Sequence, residues 1–175
     1  HIEEIQGVYV PFWMFDGKAS GEASYKATTS KVYEKGDEEI TETRHYEVSR
    51  AGSIGFEKIP VDASSKMPDD HMDSIEPYDY SGLKEFSTAY LPGFLADKYD
   101  VSVKDSQKRA DTRCASTLED ALRGTVTGYD SCTLEHKQID LKRGKVHYAL
   151  LPVWMLHTKW NGQDFLFAMN GQTGK

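Results

Sequence analysis

Residues 7–15 (GVYVPFWMF) form a nearly continuous apolar and aromatic run, the pattern of a strand buried on both faces. Asp16-Gly17 then reads as a turn. Over residues 21–33, Ala23, Tyr25 and Ala27 alternate with Glu22, Ser24 and Lys26, which marks a half-buried strand. Lys35-Gly36-Asp37 predicts a turn into residues 39–49 (EITETRHYEVS), whose Thr, Val, Ile and Tyr suit a pleated surface. A further turn at Ala51-Gly52-Ser53 leads to a short strand over 54–61, ended near Pro60. The expectation for residues 1–61 is therefore a four-stranded antiparallel meander.

Residues 62–79 break the pattern. Six acids, two prolines and one lysine without a clear period predict an acidic loop, long enough to be functional or only partly ordered. Helical spacing follows over 80–124. Leu83, Phe86, Tyr90 and Phe94 recur on one face, with Asp79 or Ser81 available as N-cap and Pro92-Gly93 predicting a kink. The second helix opens on Ser102-Val-Lys-Asp105, a capping box with Asp in place of Glu. Its stripe is Val103, Ala110, Cys114, Leu118, Ala121 and Leu122, and Gly124 ends it. The short link Tyr99-Asp100-Val101 implies a helical hairpin.

Residues 125–175 return to sheet. A strand over 129–141 and a turn at Lys142-Arg143-Gly144-Lys145 precede a long strand over 146–160. Asn161-Gly162 is the strongest hairpin signal in the chain, because both central residues of a type I′ turn need positive φ. Residues 165–169 then pair back. A gapless shift of 141 positions aligns Pro11-Phe-Trp-Met-Phe15 with Pro152-Val-Trp-Met-Leu156, Gly21 with Gly162 and Ala27 with Ala168. This raises an internal duplication, in which hairpins over 8–27 and 149–168 would occupy equivalent places with Trp13 and Trp154 both largely buried. The fold class predicted is a single α+β domain, with an antiparallel sheet in two sequence-separated parts and an inserted helical hairpin.

Composition narrows the function classes. The 175 residues carry 28 Asp+Glu against 21 Lys+Arg, a net charge of −7, which argues against binding a nucleic-acid backbone. No run of about 18 apolar residues or signal-peptide pattern occurs. Two cysteines, Cys114 and Cys132, are too few for a disulfide scaffold. A start at His1 and a stop at Lys175 inside an apparent turn suggest a piece excised from a longer protein.

The phrases VYVPFWMFD (8–16), SSKMPDDHMDSIEPYDY (64–80), LADKYDV (95–101), LLPVWML (150–156) and FAMNGQTGK (167–175) resemble those of a bacterial family. These are membrane-associated proteins described as containing a transcription-factor-IIB-type zinc ribbon. The resemblance covers essentially the whole chain. It implies a four-cysteine ribbon before this domain and one transmembrane helix after it, neither of which the present sequence contains. It further implies a place on the cytosolic side of the cell membrane, where the natural role is recruitment of a protein partner. It supplies no catalytic residues.

The residues themselves offer weak chemistry. Asp69, Asp70 and Asp73, with His71 and Glu76, could hold Ca²⁺ or Mg²⁺, but the calcium-loop spacing and its turn glycine are missing, so a solvated loop is the plainer reading. Cys132 and His136 share a strand face about 13 Å apart at roughly 3.3 Å per residue, too far for one zinc ion without a bend. No cofactor or structural metal is expected. NGQTGK (170–175) lacks the phosphate-loop spacing and reads as a turn. Among the aromatics, Trp13 and Trp154 read as core, while Phe12 and Trp160 are candidate docking residues. The function predicted is a non-catalytic juxtamembrane interaction domain. The alternatives are a metal-dependent enzyme using the acidic loop, or a sensor with a small-ligand pocket between sheet and helices.

Overall fold

A computed structural model describes residues 2–87, 93–96 and 98–175. The elements in chain order are β1 (Ile2–Lys35), β2 (Glu38–Asp62), α1 (Asp69–Ser74), β3 (Phe94–Ala96), α2 (Val103–Gly124), β4 (Ser131–Trp160) and β5 (Gln163–Asn170). The strand order is β2-β1-β4-β5, and β3 runs parallel to β1 with Val8 opposite Leu95. With 59% of residues in strands and 19% helical, this is a largely β fold and not the balanced α+β arrangement expected.

The helical hairpin does not form. Asp79 does act as a cap, its Oδ1 accepting from the Ser81 backbone N–H at 3.0 Å, but it caps one 3-10 turn over Tyr80–Gly82. Residues 83–87 are irregular, and Leu83 and Phe86 are 42% and 65% exposed. Helical spacing stabilises a helix only when its apolar face finds something to bury against. These two side chains find little. Tyr90 and Pro92 lie outside the described residues, and Phe94 begins β3.

The four-stranded meander is also corrected, to two long strands, β1 and β2. The turn over residues 35–37 forms, with Gly36 at φ 66°. Gly17 and Gly144, read above as turn residues, instead lie inside strands at close backbone approaches. A Cβ at Gly17 would stand 3.0 Å from the Lys142 carbonyl oxygen, and one at Gly144 would stand 3.0 Å from that of Asp16. Gly21 is tighter still, at 2.3 Å from the Gln138 carbonyl oxygen. Glycine inside a strand marks such an approach as readily as it marks a turn. Because β1 runs straight through residues 16–17, residues 8–27 are not a hairpin and the proposed pair of equivalent hairpins does not exist. Trp13 and Trp154 are both half-buried instead of largely buried.

The chain divides into two compact units. One comprises His1–Phe15, Lys58–Ala110 and Val146–Lys175, and the other Asp16–Glu57 and Asp111–Lys145. The first has a core of Val10, Phe12, Met14, Met72, Leu151 and Val153. There the Trp13 indole donates to the Val101 carbonyl at 3.0 Å, and its ring packs 5.2 Å from Tyr99 and 5.1 Å from Tyr148. In the second unit, Leu118 and Leu122 of α2 cover Ala19, Ala23, Tyr25 and Val48. At the start of α2, Ser102 caps as expected, its Oγ accepting from the Asp105 N–H at 3.1 Å, while the Asp105 carboxylate accepts from the Ser102 hydroxyl at 3.0 Å and not from its backbone N–H as in a full capping box. Its buried positions are Ser106, Ala110, Leu118 and Leu122, while Val103 and Ala121 of the expected stripe are exposed.

Candidate functional site

The most distinctive surface is built on β5. Asn161 (φ 49°) and Gly162 (φ 76°) turn β4 into β5 as their sequence predicts, and the register sets Thr158 opposite Phe165, Leu156 opposite Phe167 and Trp154 opposite Met169. Side chains alternate across the sheet. Leu166 and Ala168 pack on the first unit's core, and α1 packs against this strand. The opposite set, Phe165, Phe167 and Met169, is 39%, 53% and 40% exposed. Directly opposite residues share a face, so Trp154 and Leu156, both half-buried, continue this apolar surface onto β4. Trp160 at the end of β4 is 69% exposed. Since β5 ends the strand order, one side of its backbone has no neighbouring strand among the described residues.

One residue holds β5 in place at its far end. Asn170 is fully buried, and its Nδ2 donates to the carbonyls of Ile75 (2.9 Å) and Pro77 (3.1 Å). Its Oδ1 accepts from the N–H groups of Gln172 (2.8 Å) and Thr173 (3.0 Å). The NGQTGK segment is thus a closing turn around an asparagine, with Gly174 at φ 74°. Gly171 lies so close to Pro152 that a Cβ there would meet its carbonyl oxygen at 2.8 Å.

The acidic loop is organised by a cation that the sequence reading did not connect with it. Arg109 of α2 reaches Asp62 at 2.8 Å, Asp69 at 3.0 Å and Asp73 at 3.1 Å. Asp69 and Asp73 sit four apart on the single turn of α1, so one guanidinium spans both. Asp62 is buried, and its Oδ2 has no hydrogen-bond donor among the described residues. Burial raises its pKa to about 6, outweighing the lowering by Arg109, and nearby Asp69 adds to the rise. Asp70 is exposed. Two of the three aspartates singled out are therefore partners of an arginine. Among the described residues no three His, Cys, Asp or Glu side chains converge as metal ligands.

Phe12, the other docking candidate, is 1% exposed and belongs to the core, because even-numbered residues of β1 face inward there. Of the candidates, only Trp160 lies on the apolar surface of the β4–β5 hairpin. Phe165, Phe167 and Met169 were missed as site residues. Their signal was available: they alternate with Leu166 and Ala168 immediately after the Asn-Gly turn, so both faces of a terminal strand are apolar.

Fold and surface together define a largely antiparallel β protein whose strand β5 offers an apolar face and, among the described residues, an open edge. The chain is similar to the "Uncharacterized protein YdjG" of Bacillus subtilis (strain 168), at 42% identity over 174 residues, which is 99% of this chain and 51% of that protein. It thus spans about half the length of the curated relative it matches. No family model and no solved structure matches.

Proposed function

We propose that this chain is a protein-interaction domain of a bacterial membrane-associated protein, docking an extended segment of a partner along β5. The observation that carries this reading is the exposure of Phe165, Phe167 and Met169 on a strand whose outer edge has no neighbouring strand among the described residues. Exposed apolar edge strands invite pairing with another chain, and proteins that keep them monomeric usually blunt them with charge, proline or a cover. Here the strand QDFLFAMN carries a single acid, Asp164, and no proline or lysine. A docked segment would gain main-chain hydrogen bonds from the edge and specificity from side chains set against the phenylalanines.

The membrane setting rests on the resemblance of the phrases quoted above to membrane-associated zinc-ribbon proteins. A relative about twice as long leaves room outside the shared region for such a ribbon and a span. In this reading the domain lies on the cytosolic side of the membrane, and its acidic charge keeps it off nucleic acid.

The test is affinity isolation of the full-length protein with and without the paired changes Phe165→Asp and Phe167→Asp. Both positions are exposed on a paired strand, so the two changes together cost about 2 kcal/mol, and circular dichroism of the variant checks that it folds. It loses a partner that the unaltered protein retains. Retention of the same partners by the folded variant contradicts the reading.

A further inference from the structure

The first unit contains a cavity of about 790 Å³, within the range of small-molecule sites. Its lining changes character with depth. The buried lining residues are Met14, Tyr78, Ala149 and Leu151, all members of that unit's core. Their only side-chain nitrogen or oxygen is the Tyr78 hydroxyl, which already donates to the Pro152 carbonyl at 2.8 Å. Burial raises the pKa of this phenol, so it stays uncharged at neutral pH. The deep wall is therefore apolar, with its one polar side-chain atom satisfied.

Charge is confined to the rim. Asp79, Lys84, Glu85 and His147 are exposed and Lys58 is half-buried, so two lysines stand against two carboxylates. The Asp79 carboxylate accepts from the N–H and hydroxyl of Ser81, which hold its pKa below the usual range and keep it charged. Lys58, Lys84 and His147 each already have an interaction partner, and the Gln172 amide is tied to the Asp79 backbone at 2.7 and 3.0 Å. Balanced and engaged groups of this kind give no reward for bringing a charge out of water. Apolar surface, in contrast, is left uncovered beside the cavity. Leu83 and Phe86, 42% and 65% exposed, line it from an irregular segment, and Tyr148 is 46% exposed. A molecule seated there covers side chains that folding leaves in water.

From the apolar depth, the balanced rim and the uncovered rings, we infer that this cavity binds an uncharged, largely apolar small molecule carrying an aromatic ring. Its body lies against Met14, Ala149 and Leu151, and its ring packs among Tyr9, Phe86 and Tyr148 in offset or edge-to-face contact. None of Phe165, Phe167 and Met169 lines the cavity, so the inference is independent of the docking reading.

The test is fluorescence titration of the 175-residue chain with N-phenyl-1-naphthylamine, an uncharged aromatic probe. Saturable one-to-one binding is expected, with an affinity that changes less than about twofold between about 50 and 500 mM salt. The related anion 8-anilinonaphthalene-1-sulfonate binds about tenfold more weakly or worse, because its sulfonate must leave water for a wall without free donors. Leu83→Ala with Phe86→Ala weakens the uncharged probe roughly tenfold. Both positions are exposed in an irregular segment, so these changes leave the core intact. The β5 variant Phe165→Asp, Phe167→Asp retains the probe. Near-UV circular dichroism of each variant confirms that fluorescence does not come from a loosened core. Absence of saturable binding, equal or tighter affinity for the anion, or indifference to the Leu83 and Phe86 changes in folded protein would overturn the inference. Loss of the probe from the β5 variant would place it on that surface and overturn the inference as well.

Discussion

Asn170 makes four hydrogen bonds with no solvent contact, to two carbonyls of the loop after α1 and two amides of the closing turn. Buried polar groups stranded by the loss of a partner each cost about 1–3 kcal/mol. Asn170→Ala therefore destabilises the protein by about 3 kcal/mol or more, read as a lower urea midpoint. Asn170→Asp keeps the acceptor but loses both donations, and is no milder. Asp62 has a different signature. Its pKa is raised from the ordinary 3.8 to about 6 by burial, so the folded state holds a proton that the unfolded state has released. Folding stability consequently falls as pH rises from about 4 to 6, by on the order of 2–3 kcal/mol from this group, and then levels. Arg109, Asp69 and Asp73 face this carboxyl and modulate the slope. Urea melts of Asp62→Asn between pH 4 and 7 should lack this component. An unchanged pH profile would mean that Asp62 is solvated as an ordinary aspartate.

Among the elements, the long strands carry the clearest physical lesson. Alternation of Ala23, Tyr25 and Ala27, the Ser102 cap and the Asn161-Gly162 turn were all legible, because each is decided by residues close in sequence. What was not legible depends on a neighbour distant in sequence. Gly17 and Gly144 look like turn glycines, yet they, like Gly21, are strand residues at which another strand comes too close for a Cβ. The apolar spacing of Leu83 and Phe86 looks helical, yet neither side chain is covered. Likewise Arg109 could not be matched to Asp62, Asp69 and Asp73 from spacing alone. Gly21→Ala tests the strand account: a Cβ 2.3 Å from the Gln138 carbonyl oxygen forces the backbones apart. We expect a loss of about 2–3 kcal/mol, larger than that at Gly55, where an added Cβ meets nothing within 4 Å. Equal effects at the two glycines would refute close approach as the reason for Gly21.

At the scale of the whole molecule, the strand order leaves β5 at an edge, α1 packs against it, and Asn170 fixes its end. The Phe165, Phe167 and Met169 face remains open, and Trp154 and Leu156 extend it onto β4. The central claim is that this face and edge receive a partner's segment. The most direct measurement is a photo-crosslinking scan in living cells, placing a photoreactive residue at each of positions 163–170 of the full-length protein in turn. The account predicts a period of two: a discrete protein adduct from positions 165, 167 and 169, and none from 166 or 168, which pack on the core. Adducts without that period, or none from 165, 167 and 169 in folded protein, would contradict it.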